Sequence, residues 1–177
     1  AFRDAFNNTE SDILVFYGPD GNENPTDIVR FIDEYRNNKN IGMVVARRLG
    51  PNSINKEDCK ILKPRKWVNI IFNVMANIIW NRNHYIYDTI NGFRAISRET
   101  WGEINVDTDG YTVEYQSTIR CFKKNIQIVE FPTHELQRIG NKKGSPALHT
   151  GIVFVKLFLS ELLLSISNLI KKGGNKC

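Results

Sequence analysis

The chain of 177 residues carries 24 lysines and arginines against 19 aspartates and glutamates, for a net charge of +5, and 41% of its residues are hydrophobic. This composition excludes an intrinsically disordered chain and provides for one domain with a proper core. The three cysteines lie far apart and the three histidines lack metal-ligand spacing, which argues against a disulfide framework and against a zinc site.

The first part of the chain alternates apolar strands with an amphipathic helix. Residues 1–9 have the pattern of a helix end, and because the chain starts there without a methionine, we expect it to be a fragment whose N-terminal part is missing. Residues 12–17 and 41–48 are continuous apolar runs, and apolar residues recur at helical spacing over 27–37. Continuous apolar strands joined by a helix predict a mostly parallel sheet in an α/β layer fold.

An apolar helix is predicted over residues 67–80, after a polar and basic loop over 49–66. At 14 residues the helix is too short to span a bilayer. Its asparagines, Asn69, Asn73 and Asn77, recur every four residues and lie on one face. This stripe faces either a polar groove or solvent, and the pattern alone does not choose between them.

The next segments predict a turn, a helix, a strand and a binding loop. A turn at Asn91-Gly92 precedes a short strand, and residues 110–125 form an amphipathic pattern. Residues 126–132 alternate like a half-buried strand that stops at a proline. The basic, glycine-rich stretch 133–146 is typical of a loop that binds a ligand.

The C-terminal stretch 151–170 is nearly all apolar and long enough to cross a bilayer, but it contains Lys156 and Glu161. An ionisable residue near mid-span costs roughly 2.5–3.5 kcal/mol on insertion scales. We therefore favour a helix that lies in the membrane interface or docks on a partner over one that spans the bilayer.

The loop "GPDGNENP" (18–25) follows the first apolar strand, at the edge where open α/β sheets bind ligands. Asp20 and Asn22 are two apart and could both offer oxygens to one hard cation, which would also bridge to substrate phosphates. The alternative is an Asp-Gly turn capped by an asparagine, which needs no ligand.

Later segments add cationic residues that favour the ligand-binding interpretation. Arg47 ends the second apolar strand, Asp88 and Arg94 flank the Asn91-Gly92 turn, and Arg138 and Lys142 lie on the glycine-rich loop. An acidic loop together with several arginines and lysines is what a phosphoryl-bearing substrate requires. Nucleic acid is not an expected partner, because the basic residues are not interleaved with aromatic ones on one face.

Six segments resemble, in the same order, the motifs of family 2 glycosyltransferases with the GT-A fold, near the dolichyl-phosphate mannose synthase group. They are "GPDGN", "VARR", "DTINGFR", "GYTVE", "VEFP" and "QRIGNKK", and the resemblance covers roughly residues 1–165. It implies a Rossmann-like sheet flanked by helices, incomplete at the N-terminus and followed by a hydrophobic or amphipathic helix. The expected division is a catalytic portion over 1–148 and a membrane-interface helix with a basic tail over 149–177.

The resemblance also implies roles for the acidic and basic residues. Asp20 matches the second acid of the DxD motif, which contacts a divalent ion (Mg²⁺ or Mn²⁺) and the donor diphosphate, and Asn22 matches an amide that assists the metal. Arg47 and Arg138, with Lys142 on the same loop, would bind the acceptor phosphate or the donor diphosphate.

The acceptor side of the site would be lined by Asp88 and Arg94, with Glu114 on the adjacent helix. Glu114 also fits an exposed or capping helix glutamate. Two departures stand out: Gly18 replaces the first DxD acid, and the resemblance begins after the part of the family's domain that is expected to hold the nucleotide base.

The activity implied is metal-assisted, inverting transfer of a sugar from a nucleotide-diphospho-sugar to a phosphorylated lipid such as polyprenyl or dolichyl phosphate. It would take place at the cytoplasmic face of a membrane, with the chain peripheral or anchored by its C-terminal helix. We do not expect activity from this fragment alone. The alternative is a non-catalytic relative that binds a nucleotide sugar or an anionic lipid as a scaffold.

Overall fold

In a computed structural model the chain forms two compact units, Ala1–Lys142 and Lys143–Cys177. The structure describes residues 2–56, 64–137, 139 and 147–174. The helices are α1 (Phe2–Asn7), α2 (Asp27–Asn37), α3 (Pro64–Trp80), α4 (Arg98–Ile104), α5 (Val113–Lys124) and α6 (Ala147–Gly174). The strands are β1 (Ile13–Phe16), β2 (Ile41–Arg47), β3 (Ile54–Asn55), β4 (Arg94–Ser97), β5 (Gln127–Pro132) and β6 (His134–Glu135).

A four-stranded sheet in the order β1-β4-β2-β5 forms the centre of the first unit. β2 pairs with β5 in parallel, whereas β4 runs antiparallel to both of its neighbours, β1 and β2. The α/β prediction is confirmed, but the sheet is mixed: β1, β2 and β5 share one direction and β4 is reversed. β4 begins at the edge where β2 ends, because the segment before it returns the chain to that edge.

The sheet is covered on both faces, which explains the continuous apolar runs. All residues of β2 except Arg47 are buried. On one face Phe31 of α2 packs edge-on against Phe93 and Phe131, with ring centroids 4.9 Å away in each case. Alternate residues of β2 therefore enter two different apolar layers.

Two features of the first unit lie outside the predicted elements. The short helix α4 begins after Ser97, whose side-chain oxygen accepts a hydrogen bond from the Thr100 backbone N–H at 3.2 Å. The loops predicted over 49–66 and 133–146 contain β3 and β6, which pair in parallel. This small ladder fixes the chain just beyond the ends of β2 and β5.

The described part of the second unit is the helix α6. Within it, His149–Lys171 is long and apolar enough to cross a membrane by length and composition. Large apolar side chains such as Leu163 and Leu169 are exposed on this helix. An interfacial helix and a spanning helix both agree with these features.

Gly42 offers a test of the packing in the first unit. A Cβ at this position would overlap Ile126 Cγ2 and Thr100 Oγ1. We expect Gly42→Ala to lower the free energy of unfolding by about 1–3 kcal/mol through overpacking. Gly102, in α4, has no atom within 4 Å of an added Cβ, so Gly102→Ala should raise stability by roughly 0.5–1 kcal/mol. Urea unfolding of both variants provides the measurement, and a neutral Gly42→Ala would contradict the packing described.

Candidate active site

Four segments of the first unit meet at one edge of the sheet. β1, β2 and β5 point the same way, so the loop 18–25, the arginines that end β2 and the residues after β5 all emerge together. The segment 84–93 precedes the reversed β4 and reaches the same edge. This is the edge at which open α/β sheets hold their ligands.

A buried ion pair between Asp88 and Arg48 lies at this edge. Arg48 Nε and a terminal guanidinium nitrogen donate to the two Asp88 carboxylate oxygens at 2.8 and 3.1 Å, and the Arg48 backbone N–H donates at 3.0 Å. The Asp88 side chain is 1% exposed. Burial alone would raise the pKa of Asp88, but the charge and hydrogen bonds of Arg48 outweigh it and hold the pKa below its ordinary value.

Polar contacts continue from this ion pair to the acidic loop. Arg48 Nε lies 4.0 Å from a Glu135 carboxylate oxygen, and the other Glu135 oxygen accepts a hydrogen bond from the Asn22 side-chain amide at 2.7 Å. The Asn22 carbonyl accepts from the Leu136 backbone N–H at 2.7 Å. Asn22 is therefore buried and anchors the loop, and its amide nitrogen is bound to Glu135.

Glu130, in β5, holds the backbone on the other side of Asp88. Its two carboxylate oxygens accept hydrogen bonds from the Tyr87 and Asp88 backbone N–H groups at 2.8 and 2.9 Å. Burial raises the pKa of Glu130 to about 7, partly opposed by these two hydrogen bonds. The carboxylate acts as a two-point clamp on the segment that carries Asp88.

Two asparagines of the α3 stripe, Asn73 and Asn77, are buried against the segment that precedes β4, and Asn73 also lines a cavity. Asn77 donates to the Ile86 carbonyl at 2.8 Å and accepts from the Ile86 N–H at 2.9 Å. Asn73 donates to the Tyr87 carbonyl at 2.8 Å and accepts from both the N–H and the hydroxyl of Thr89. The stripe therefore replaces secondary-structure hydrogen bonds for a segment that has none of its own.

Arg94 lies behind the site, with 0% of the residue exposed. Its guanidinium donates to the carbonyls of Asn91 and Glu114 at 2.7 and 2.8 Å and to the hydroxyls of Ser117 and Thr118 at 3.0 and 3.1 Å. Burial lowers the pKa of Arg94 to about 10, so it remains charged near neutral pH. These contacts tie the segment before β4 to α5.

Glu114, which is on α5, lies next to Arg94 and is only partly exposed. One of its carboxylate oxygens is buried without a hydrogen-bond partner in the part of the chain that the structure describes. The other lies 3.5 Å from where a Cβ on Gly92 would be. Burial raises the pKa of Glu114 even though Arg94 is near.

The acidic loop places a second carboxylate beside Gly18. The Gly18 backbone N–H donates to a Glu23 carboxylate oxygen at 2.6 Å, and the Glu23 carboxylate lies 3.3–3.4 Å from where a Cβ on residue 18 would be. Asp20 is half-buried, and its carbonyl accepts from the Ile139 N–H at 3.1 Å. The Glu23 carboxylate thus lies in contact with the position that a side chain on residue 18 would take.

The remaining predicted cations divide between described and undescribed residues. Arg47 donates to the Leu49 carbonyl at 3.1 Å, and its guanidinium lies 5.1 Å from the centre of the Tyr87 ring. Arg138 and Lys142 lie outside the described residues.

A cavity of about 390 Å³ opens beside the ion pair. Its lining combines two cations with aromatic and apolar surface and includes Arg48, Lys66, Ile70, Asn73, Tyr85 and Tyr87. An anionic group would be attracted to Arg48 and Lys66, whereas Ile70 and the tyrosine rings suit an apolar or sugar-like portion.

The sequence patterns missed three residues of this edge: Arg48, Glu130 and Glu135. Arg48 is the second arginine of a pair in the sequence. The alternation of side chains along a strand does not show which of the two arginines contacts Asp88. Glu130 belongs to the "VEFP" segment, but the sequence does not indicate that its side chain binds backbone N–H groups. No sequence pattern singles out Glu135.

No known family model matches the chain. It is 27% identical over 73 residues to the glycosyltransferase AglJ of Haloferax volcanii, a match that covers 40% of this chain and 24% of AglJ.

Among solved structures, glucosyl-3-phosphoglycerate synthase of Mycobacterium tuberculosis in complex with phosphoglyceric acid matches with a TM-score of 0.60 and 17% identity, over 90% of this chain and 53% of the synthase. The same synthase in complex with Mn²⁺, uridine diphosphate and glucosyl-3-phosphoglycerate matches with a TM-score of 0.59. The chain spans about half the length of these structures. The fold is therefore that of the GT-A glycosyltransferases.

Protonation of Glu130 predicts a pH-dependent stability. The folded chain keeps a proton on Glu130 between about pH 4.5 and 7, where the unfolded chain has lost it. The free energy of unfolding should therefore fall as the pH rises through this window, by roughly 1–2 kcal/mol after allowance for solvent screening. Glu130→Gln should remove this part of the slope. Chemical unfolding from pH 4 to 8 measures it, with the exposed Glu10→Gln as control, and equal slopes in both variants would refute the clamp's titration.

Proposed function

We propose that the chain is part of an inverting glycosyltransferase that transfers a sugar from a nucleotide-diphospho-sugar to a phosphorylated lipid. The observation that carries the proposal is the meeting of an acidic loop and a cationic cavity at one sheet edge. Asn22, Glu135 and Arg48 connect the two through contacts of 2.7 and 4.0 Å. Donor diphosphate and acceptor phosphate would bind on either side of this connection.

Two relatives support the choice of reaction. AglJ is a glycosyltransferase, and the synthase from M. tuberculosis has been crystallised with Mn²⁺, with a uridine-diphosphate sugar and with a phosphorylated acceptor. A phosphorylated acceptor agrees with the cavity beside Arg48. The lipid part of the acceptor is our proposal and rests on the apolar lining and on the C-terminal helix.

The acidic loop suits a Mg²⁺ or Mn²⁺ ion that is shared with a diphosphate. The described residues contain no group of three or more His, Cys, Asp or Glu side chains that could hold a metal. A hard cation bound by one or two carboxylates, with waters and phosphate oxygens completing its shell, needs no such group. Asp20 and the Glu23 carboxylate beside Gly18 would supply these oxygens, and Asn22 would hold the loop in place. A bound cation would neutralise charge on the departing diphosphate.

The cationic cavity would hold the acceptor phosphate. Asp88 already neutralises much of the charge of Arg48, so Lys66 and Arg47 would supply the excess positive charge. A phosphate is anionic near neutral pH, and its oxygen needs little help from a general base. This agrees with a site that is rich in cations.

In the reaction, an acceptor phosphate oxygen forms a bond to the anomeric carbon while the bond from that carbon to the diphosphate oxygen breaks, with inversion. The electron pair leaves with the nucleoside diphosphate, next to Asp20 and the cationic side chains. Asp88 would act through Arg48 by fixing its guanidinium. Arg94 would act through the segment 88–94, because its buried guanidinium is fully engaged with protein groups.

The membrane is the proposed setting, with α6 as the anchor or interfacial contact at the cytoplasmic face. A lipid acceptor keeps its chain in the bilayer, so its headgroup is reached only by a site held near the surface. The apolar stretch His149–Lys171 supplies the means to hold it there.

Lys66 tests the acceptor site. We expect Lys66→Gln to raise the KM for a polyprenyl-phosphate acceptor about tenfold with a smaller effect on kcat, because a cation that binds the phosphate is removed. Transfer of radiolabelled sugar by the full-length polypeptide in membranes provides the measurement, with the exposed Lys39→Gln as control. An unchanged KM would show that Lys66 does not bind the acceptor phosphate. A wild-type protein that turns over no donor would favour the non-catalytic scaffold.

The acidic loop is tested by metal binding, which does not require turnover. We expect Asp20→Asn to weaken Mn²⁺ binding at least tenfold in the presence of uridine diphosphate, and Glu23→Gln to weaken it severalfold, because each removes a carboxylate. The electron paramagnetic resonance signal of free Mn²⁺ measures the affinity, with Glu10→Gln as the charge-matched control.

A carboxylate exchange sharpens this test. An aspartate at position 18 would contact the Glu23 side chain, so it is combined with Glu23→Ala, which vacates that place; Gly18→Asp with Glu23→Ala should bind Mn²⁺ more tightly than Glu23→Ala alone. Full affinity in Glu23→Gln alone would limit Glu23 to capping the loop. Full affinity in Asp20→Asn would refute the metal assignment.

A further inference from the structure

Arg47, the last residue of β2, is held at both its backbone and its side chain. Its carbonyl accepts hydrogen bonds from the Thr133 backbone N–H and from the Ser53 hydroxyl, each at 3.0 Å. Its guanidinium donates to the Leu49 carbonyl at 3.1 Å and lies 5.1 Å from the centre of the Tyr87 ring. A long arginine side chain has many rotamers, and these contacts select one of them.

Gly50 permits this arrangement because it has no side chain. Its φ angle is +91°, in the left-handed region that favours glycine. A Cβ at this position would lie 2.6 Å from Arg47 Nη1 and 2.7 Å from Tyr87 Cδ1, closer than such atoms can approach. The guanidinium and the ring therefore both pack against the backbone at Gly50, and a larger residue there would displace one of them.

The Tyr87 ring is a fixed surface for the guanidinium. The Tyr87 N–H donates to a Glu130 carboxylate oxygen at 2.8 Å, and the Tyr87 carbonyl accepts from the Asn73 side chain at 2.8 Å. The Tyr85 ring meets the Tyr87 ring edge-on, with the centroids 5.1 Å apart. An aromatic face attracts a guanidinium without neutralising it.

The two neighbouring arginines therefore differ in charge balance. Arg48 donates to both carboxylate oxygens of Asp88, which neutralises much of its charge. Arg47 is held by a carbonyl, a ring and a glycine backbone, and it forms no ion pair with a carboxylate in the described part of the chain. Burial raises the pKa of the nearby Glu130 to about 7, so this residue balances the charge of Arg47 only in part near neutral pH.

We propose that Gly50 and Tyr87 are positioning residues, which fix the Arg47 guanidinium beside the cavity before a phosphate binds. Gly50 and Tyr87 both line the cavity, and the guanidinium lies against both. A side chain that becomes ordered only on binding lowers the affinity, because its lost conformational freedom must be offset. An arginine that is ordered in advance avoids this cost. The inference deepens the proposed function and rests on it for the phosphate as ligand.

Nuclear magnetic resonance of the arginine side chains tests the arrangement without a ligand. In the full chain in detergent micelles, we expect the Tyr87 ring to shift the Arg47 side-chain protons upfield, unlike those of the exposed Arg36. Gly50→Ala and Tyr87→Leu should each abolish this shift, whereas Tyr87→Phe keeps the ring and should retain it. An unshifted Arg47 in the wild-type chain would overturn the proposal.

Gly110 provides a matched control for the glycine substitution. Its φ angle is +67°, but no atom lies within 4 Å of an added Cβ. Gly110→Ala therefore introduces the backbone strain of a positive φ without the steric overlap, and it should leave the Arg47 shift unchanged. Loss of the shift in both Gly50→Ala and Gly110→Ala would contradict the specific role of Gly50.

Titration with phosphates tests the role of this arrangement in binding. We expect Gly50→Ala to weaken the binding of inorganic phosphate and of farnesyl phosphate about fivefold, because the ligand must then order Arg47. In an Arg47→Gln background the same substitution should have no further effect, since the residue that it positions is gone. An equal loss in both backgrounds would show that Gly50 only shapes the cavity, and would overturn the proposal.

The two phosphates distinguish failure of this inference from failure of the proposed function. Farnesyl phosphate carries a short polyprenyl chain, so its tighter binding would support a lipid acceptor. Equal binding of the two phosphates, with the dependence on Arg47 intact, would overturn the lipid part of the proposed function and still support the positioning of Arg47. A wild-type chain that shows the Arg47 shift but binds neither phosphate would overturn the proposed acceptor site, and with it the role of Arg47 in that site.

Discussion

The ion pair between Asp88 and Arg48 is the interaction on which the proposed site depends. A carboxylate with 1% of its side chain exposed is stable only when opposite charge and hydrogen bonds replace the water it has lost. Arg48 provides both, in a two-point geometry that permits little rotation. The pair therefore fixes the end of β2 and the segment before β4 relative to each other, and the cavity lies between them.

Other residues must hold the Asp88–Arg48 ion pair in place, because the segment 84–93 has almost no regular structure. Glu130 and the asparagines of α3 bind its backbone, and Arg94 binds the same segment to α5. Removing one partner from such a network leaves another buried polar group unpaired, which costs more than the lost bond itself. The buried groups therefore fix the geometry of the proposed site, in which the less buried Lys66 and Arg47 would bind the ligand.

The apolar pattern predicted most of the fold because burial on both sheet faces leaves a continuous signal in a strand such as β2. It did not predict the reversed direction of β4, which depends on where the preceding segment returns the chain. The site was predictable only to the level of which loops converge. Asn73 and Asn77 form hydrogen bonds with backbone groups, which every sequence has. The residue types at positions 86–89 therefore do not indicate the contact. The choice between Arg47 and Arg48 depended likewise on side-chain direction at the end of a strand.

Gly18 shows why a sequence motif should be judged by where charged groups lie in the structure as well as by the order of its residues. In the resembling family an acid is expected at this position, and its absence by itself favours a non-catalytic scaffold. In the structure the Glu23 carboxylate lies against the Gly18 backbone, 3.3–3.4 Å from where a Cβ on residue 18 would be. A side chain at position 18 would meet the Glu23 carboxylate at 3.3–3.4 Å and would have to displace it slightly. A carboxylate supplied from five positions later therefore already lies beside the position where the motif has its first acid. The loop therefore keeps two carboxylates, those of Asp20 and Glu23. The missing acid at position 18 then no longer argues against an enzyme.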